Sequence, residues 1–253
     1  MLEPNQLDEK YHFLLRKLHS LTGIVPVGVF LCEHMLTNSL AWYGGPEEFN
    51  KSVHFLHALP WLPLLEFFGI FVPLAFHAIY GIVIALSGQS NVTSYRYWAN
   101  RRYYMQRIAG YVTFVFIIIH LFKFRFAHWI GWGPEFMDPE RIDKFEITRN
   151  GMLEWSIWGL AVPWWITFLM YVVGLAAACF HFANGIWCFC ITWGIAITRK
   201  AQGRIGVVAA LIGILLFVGG SLGLYGIKNP PTPREPVHEC VIVERSATDT
   251  NVE

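Results

Sequence analysis

The chain has 253 residues, of which 55% are hydrophobic and 15% are charged, and its mean hydropathy is +0.42. Soluble domains carry about 25% charged residues, so too few polar side chains remain here to cover a water-exposed surface. The composition therefore indicates a protein embedded in the lipid bilayer and excludes an ordinary soluble enzyme. With a formal net charge of +1 the chain as a whole is not basic, so no nucleic-acid partner is expected.

Five apolar segments are long enough to cross a bilayer, which takes about 20 residues. In chain order they lie near residues 21–42, 61–86, 108–122, 159–198 and 205–227. The predicted fold is all-α, an integral membrane bundle of five transmembrane helices over residues 21–227. A polar N-terminal segment, 1–20, precedes it, and a proline-rich tail, 228–253, follows it.

Two of these segments have unusual lengths. The third is short unless it continues through Phe124, Phe126 and Trp129, with Lys123 and Arg125 extending their charged ends to water. The fourth is too long for one perpendicular span and lacks a clear turn, so we predict one helix that projects beyond the membrane.

The distribution of Lys and Arg predicts the orientation. If the N-terminus is cytoplasmic, the inner segments hold ten basic residues against three acids, whereas the outer segments are longer and rich in acids. We therefore expect a multi-pass membrane protein with its N-terminus on the cytoplasmic side and its C-terminus outside.

Four histidines lie within the first four spans, one in each: His34, His77, His120 and His181. An imidazole in hydrocarbon is costly unless it is bonded, so it marks a functional site. At 1.5 Å per residue, His34 and His120 lie about 20 and 18 Å from the inner face. His77 and His181 lie about 24 and 25 Å from the outer face. Two pairs at two depths predict two bis-histidine haems b stacked across the membrane.

The sequence around the histidines supports this pairing. His77 and His181 share the pattern His-x-x-x-Gly-Ile, which places Gly81 and Gly185 on the histidine face of each helix. A glycine there lets a flat macrocycle approach the backbone. Gly23 and Gly110 precede His34 and His120 in a looser version of this arrangement. A zinc or non-haem iron site would instead need three or four ligands at one depth.

Several motifs make the chain similar to a known family. They are Arg16-Lys-Leu-His-Ser-Leu-Thr-Gly23, Glu33-His34, Leu65-Glu66 leading to His77-Ala-Ile-Tyr-Gly81, Tyr95-Arg96-Tyr-Trp98, and Gln106-Arg107-Ile-Ala-Gly110 before His120. Over residues 10–227 the chain resembles the cytochrome b subunit of bacterial succinate dehydrogenase (complex II), of the single-chain, five-helix, two-haem type.

The resemblance implies the rest of a respiratory assembly. A flavoprotein subunit with FAD would oxidise succinate, and an iron–sulfur subunit would pass the electrons to this membrane anchor. His77 and His181 would hold the haem nearer the iron–sulfur subunit, and His34 and His120 the distal haem. Menaquinone would be reduced near the distal haem. The chain itself carries no dinucleotide or phosphate motif and no catalytic triad, so we expect no succinate chemistry in it.

Charged residues near the two histidine pairs are candidates for binding haem propionates and for relaying protons. Among the arginines at the inner face, Arg107 directly precedes its span and is our first candidate partner for a haem propionate. The two carboxyls inside spans, Glu33 and Glu66, lie near the outer pair, where either could relay a proton to or from quinone. A structural hydrogen bond is the alternative for each. His19, at the inner mouth of the first span, could contact quinone, a partner or a haem carboxylate, or anchor the helix at the interface.

Two other classes of protein remain open at this point. The chain could be the dihaem cytochrome b of another quinone-linked enzyme, such as fumarate reductase, nitrate reductase or hydrogenase. It could also be a transporter that uses His and Glu in a proton path, although no inverted repeat with broken helices is visible in the sequence.

Overall fold

A computed structural model of the chain describes residues 4–88, 92–127, 130 and 143–231. Its described part is almost entirely helical. The elements in chain order are α1 (Pro4–Ile24), α2 (Pro26–Tyr43), α3 (Gly45–His57), α4 (Leu62–Leu64), a π-helical stretch (Leu65–Phe71), α5 (Val72–Ser87), α6 (Trp98–Phe124), α7 (Lys144–Leu153), β1 (Ser156–Ile157), β2 (Leu160–Ala161), α8 (Trp164–Thr192) and α9 (Arg199–Lys228).

Five helical stretches are long and apolar enough to cross a membrane, which confirms the predicted all-α membrane bundle. They are Tyr11–Tyr43, Leu62–Ser87, Trp98–Phe124, Trp164–Thr192 and Arg199–Lys228. Within the bundle α2 packs on α9, α8 lies between α9 and α6, and α1 packs on α5 and α8. The helices therefore bring the four spans that carry histidines around a common interior.

The first span consists of two helices joined at a proline. Pro26 has no N–H to donate, and the backbone turns at Val25 before α2 begins. Helical hydrogen bonds continue on both sides, from Val25 N to Leu21 O and from Val29 N to Val25 O. The boundary that we drew at residue 20 falls inside α1, so the helical rod begins earlier than the hydropathy pattern suggested.

The third span differs from its prediction at both ends. It starts at Trp98 rather than near residue 108, and α6 ends at Phe124 instead of continuing through Phe126. Trp129 lies outside the described residues. Lys123 does not extend to water, because it is only 5% exposed and its Nζ lies 4.3 Å from the centre of a ring of Trp155.

The predicted segment 159–198 contains a hairpin turn, one helix and a second turn. Trp158 and Gly159 both have positive φ between β1 and β2, as a two-residue type I′ turn requires. At the other end, Gly194 adopts φ +75° after α8 ends. The Thr198 hydroxyl then accepts a hydrogen bond from Ala201 N and caps α9. The prediction of one helix there was right, but its length was wrong, and α9 starts at Arg199 rather than near 205.

The best-buried apolar cluster lies at one end of the bundle, which we call the α3–α7 end. It joins α2, α3, α7, α8 and α9 through Ala41, Phe49, Val53, Phe145, Met152, Tyr171 and Ile227. Elsewhere large apolar side chains such as Leu86 and Leu215 face outward, as expected of a surface that contacts lipid. The predicted C-terminal tail begins at Lys228, and its residues 232–253 lie outside the described residues.

Candidate functional site

The structure brings the four intramembrane histidines together as two pairs. The ring centres of His34 and His120 are 5.7 Å apart, and those of His77 and His181 are 6.0 Å apart. Both pairs are edge-to-face, with interplanar angles of 77° and 84°. Each pair therefore joins two helices, α2 with α6 and α5 with α8.

Hydrogen bonds orient the ring nitrogens of the second pair. His77 Nδ1 lies 2.8 Å from the carbonyl oxygen of His19, and His181 Nδ1 lies 3.1 Å from that of Gln106. A carbonyl only accepts, so each Nδ1 carries the hydrogen and each Nε2 keeps a free lone pair. This tautomer is the one that a histidine ligating a metal through Nε2 requires.

The first pair has a different environment. His120 Nδ1 lies 3.1 Å from the phenolic oxygen of the buried Tyr171, which orients the ring. The rings of Phe30 and Phe116 stack against His34 and His120, with centres 5.4 and 5.8 Å away. The pair near the α3–α7 end is thus enclosed by aromatic side chains.

Glycines make room for histidine rings that belong to neighbouring helices, and not for histidines on their own helix. A Cβ at Gly23 would collide with the ring of His77, and one at Gly110 would lie 3.0 Å from His181 Cε1. Both glycines therefore serve the second pair, not His34 and His120 as the spacing along the chain suggested. Gly81 faces the ring of His19.

The environment of Gly185 is more open. A Cβ added at Gly185 would lie 3.7 Å from Gln106 Nε2 and 3.9 Å from Ile24 Cδ1, which are ordinary contact distances. The roles of Gly81 and Gly185 toward a macrocycle remain predictions.

His19 is a neighbour of this site that the sequence analysis placed only at the mouth of the span. Its ring stacks on that of His77, with centres 4.1 Å apart and an interplanar angle of 7°. Its carbonyl is also the acceptor for His77 Nδ1. The placement of the span boundary at residue 20 concealed this proximity.

The sequence analysis did not identify a network of hydrogen bonds among buried and partly buried side chains beside His181. Asn184, which is 2% exposed, accepts from Arg102 Nε at 2.9 Å and donates to Gln106 Oε1 at 2.9 Å. Gln106 Nε2 in turn donates to the carbonyl of His181 at 3.0 Å. The spacing offered a signal, because Arg102 and Gln106 lie four residues apart on one face of α6. The network joins α6 to α8 beside the proposed ligand.

Arg107 lies near the end of α5. Its Nη1 donates to the carbonyl of Gly88 at 3.0 Å, and the guanidinium lies 5.0 Å from the ring centre of Tyr103. Arg107 therefore satisfies a carbonyl just beyond the C-terminus of α5. A contact with a haem propionate remains a prediction.

The two carboxyls have different partners. Glu66 lies in the π-helical stretch, and its Oε2 accepts from Arg125 Nη2 at 3.2 Å. Glu33, next to His34, accepts from the Thr37 hydroxyl at 2.7 Å. π-Helical turns occur often at functional sites, and this one holds an ion pair beside the end of α6.

A histidine outside the candidate spans lies close to several cationic side chains. His57, at the end of α3, is partly buried, which lowers its pKa from the ordinary value by desolvation. The positive charges of Lys144, His54 and Arg125 lower that pKa further. Lys144 and Arg125 lie apart from His57 in the chain, so their effect could not be read from the sequence.

Comparison with known proteins decides the family. No family model matches the chain. The chain is 36% identical over 216 residues to the succinate dehydrogenase cytochrome b558 subunit of Bacillus subtilis (strain 168), a match that covers 85% of this chain and 94% of that protein. The chain belongs to the succinate dehydrogenase cytochrome b subunit family.

Membership favours succinate dehydrogenase over the other dihaem cytochromes and the transporter considered above. The chain is a multi-pass membrane subunit of the succinate dehydrogenase cytochrome b family.

Its paired histidines suit the haem that the name cytochrome b implies. Imidazole nitrogen binds a metal at about 2 Å, so two rings on opposite sides of one metal have centres roughly 6 Å apart. The measured 5.7 and 6.0 Å agree with that separation.

Proposed function

We propose that this chain carries electrons from the iron–sulfur subunit of succinate dehydrogenase through two haems b to menaquinone. The observation that carries the proposal is the pairing of four intramembrane histidines at 5.7 and 6.0 Å on four different spans. Membership of the succinate dehydrogenase cytochrome b subunit family supports the choice of enzyme.

In this proposal His77 and His181 hold the inner haem, and His34 and His120 hold the outer haem. Haem b bound at these positions supplies one-electron chemistry at its iron. With two imidazoles to each iron, no position would remain open for oxygen. The carbonyls of His19 and Gln106 hold the inner rings in the ligating tautomer, and Tyr171 orients His120.

The proposed orientation places the N-terminus in the cytoplasm and the α3–α7 end outside a bacterial cytoplasmic membrane. The ends of α6 and α9 that carry Arg101, Arg199 and Lys200 then face inward, where basic residues are enriched. This face would receive the iron–sulfur subunit, and the flavoprotein subunit with its FAD would lie beyond it. Succinate oxidation would take place in those partners.

Reduction by succinate in the assembled complex tests the proposal. In the purified complex, succinate should reduce the b-type absorption bands of both haems, and a soluble menaquinone analogue should reoxidise them. The same chain without its partners should show the bands with dithionite but not with succinate. Haem bands that succinate leaves oxidised in an active complex would exclude this chain from the electron path.

We predict that Glu66→Gln lowers quinone-linked turnover about tenfold or more, because a proton relay contributes about 10²–10⁴-fold to a rate. Haem spectra should stay intact, since Gln keeps the shape of Glu and can still bond to Arg125. Succinate:quinone activity and difference spectra of purified complexes provide the measurement.

Glu48→Gln is the matched control, because Glu48 is a partly exposed acid of α3 with its own ion pair to Lys51. It should leave turnover unchanged. Wild-type turnover in Glu66→Gln with normal haem spectra would remove Glu66 from the mechanism, and the same test applied to Glu33→Gln decides the role of Glu33.

A further inference from the structure

Lys123 is buried near the C-terminal end of α6, the third candidate span. It is 5% exposed, and among the residues that the structure describes its Nζ has no hydrogen-bond partner. Rings of Trp155, Tyr171 and Phe124 surround it, with centres 4.3, 5.1 and 5.6 Å from the nitrogen. Aromatic faces attract a cation, but none of these contacts satisfies the three N–H donors of an ammonium group.

A second buried donor lies on α8, one turn before Tyr171. Thr167 is 0% exposed, and its hydroxyl finds no partner within the described ranges. It is four residues before Tyr171 on α8, so the two side chains share a helix face. Tyr171 is the residue whose ring contacts Lys123 and whose hydroxyl bonds to His120. One unsatisfied donor therefore contacts Tyr171, the partner of a proposed haem ligand, and the other lies one turn before Tyr171 on α8.

The helix geometry directs Lys123 toward that ligand. Lys123 follows His120 by three residues on α6, so both side chains lie on one face. Long side chains on a helix point back toward its N-terminus, which here is the direction of His120. The amine thus reaches back alongside the position proposed for the outer haem.

The missing partner has to supply negatively charged acceptor oxygens. The two acids inside the spans already have donors, Glu66 from Arg125 and Glu33 from Thr37. A quinone carbonyl could accept a hydrogen bond but would leave the charge of a buried ammonium group uncompensated. A carboxylate satisfies both requirements, and haem b carries two carboxylates as propionates.

We propose that Lys123 and Thr167 bind a propionate carboxylate of the haem held by His34 and His120. This inference rests on the proposed function, because it requires that outer haem. The positive charge stabilises the added electron, so Lys123 holds the midpoint potential of the outer haem above the value it would otherwise have.

Lys123→Met in the full complex tests this assignment by potentiometric titration of both haems. At a fixed potential the ratio of reduced to oxidised outer haem should fall about tenfold, which is 59 mV for a one-electron couple. The inner haem should titrate as in wild type. Lys123→Arg keeps the charge and should keep the outer potential near wild type. Lys51→Met, at an exposed lysine of α3, is the control and should move neither haem.

A folded Lys123→Met complex with both haems at wild-type potentials would overturn the proposal. If the KM for quinone is raised in that same complex, the site belongs to a quinone oxygen instead. If the Lys123→Met complex does not accumulate, the same potentiometric titration is done on Thr167→Val, because valine preserves the shape of threonine. A smaller downward shift of the outer haem supports the proposal, and no shift overturns it. A wild-type complex without two haems contradicts the proposed function instead.

Discussion

Replacing His77 or His181 by alanine should remove one and the same haem, and replacing His34 or His120 should remove the other. Each variant should then hold half of the wild-type haem and lose quinone-linked turnover almost completely, because one electron carrier is missing from the path. The physical reason is that one imidazole cannot keep a bis-histidine haem in an apolar site. Haem per chain and difference spectra of the four purified variants give the measurement.

His54→Ala is the control for this series, because His54 is exposed on α3 and lies outside the candidate spans. It should retain both haems. Loss of both haems from every variant, or loss of different haems from His77→Ala and His181→Ala, would contradict the pairing seen in the structure.

Gly226→Ala should destabilise the bundle by about 1–3 kcal/mol, the usual cost of overpacking. A Cβ at Gly226 would collide with the backbone of Ala41 and Trp42 in α2, and one turn earlier a Cβ at Gly223 would lie 2.6 Å from Asn38 O. Backbone atoms cannot rotate away as a side chain can, so α9 would have to move off α2. The thermal midpoint of the purified subunit in detergent measures the loss.

Gly219→Ala in the same helix is the matched control. Among the residues that the structure describes, no side chain and no other helix comes within 4 Å of a Cβ built there. Alanine is the better helix former by about 1 kcal/mol, so this variant should be as stable as wild type or slightly more stable. Equal midpoints for the two variants would show that α9 and α2 are not held together by close glycine contacts.

The fold and the candidate ligands were accessible to sequence reasoning because both depend on local signals. Long apolar runs identify membrane helices, and a histidine in each of four runs is conspicuous in so apolar a chain. Helix ends were less well predicted. Gly194 and Thr198 are ordinary stop and start signals, but both lie inside an apolar stretch that we interpreted as continuous helix.

Contacts between helices could not be predicted from one sequence. The ring of His19 lies on that of His77, 58 residues away in the chain, and Asn184 bonds to Arg102 on another helix. The burial of Lys123 has the same origin. A lysine near a helix end is expected to reach water, and only the packing of Trp155 and Tyr171 around it shows otherwise.

The haem content of the purified, unaltered subunit tests the central claim most directly. With haem in ample supply during expression, haem extracted and quantified against protein should give two haems b per chain, and low-spin signals should show two distinct iron sites. One haem per chain would contradict the two-pair arrangement, and a colourless protein would contradict haem binding by these histidines altogether.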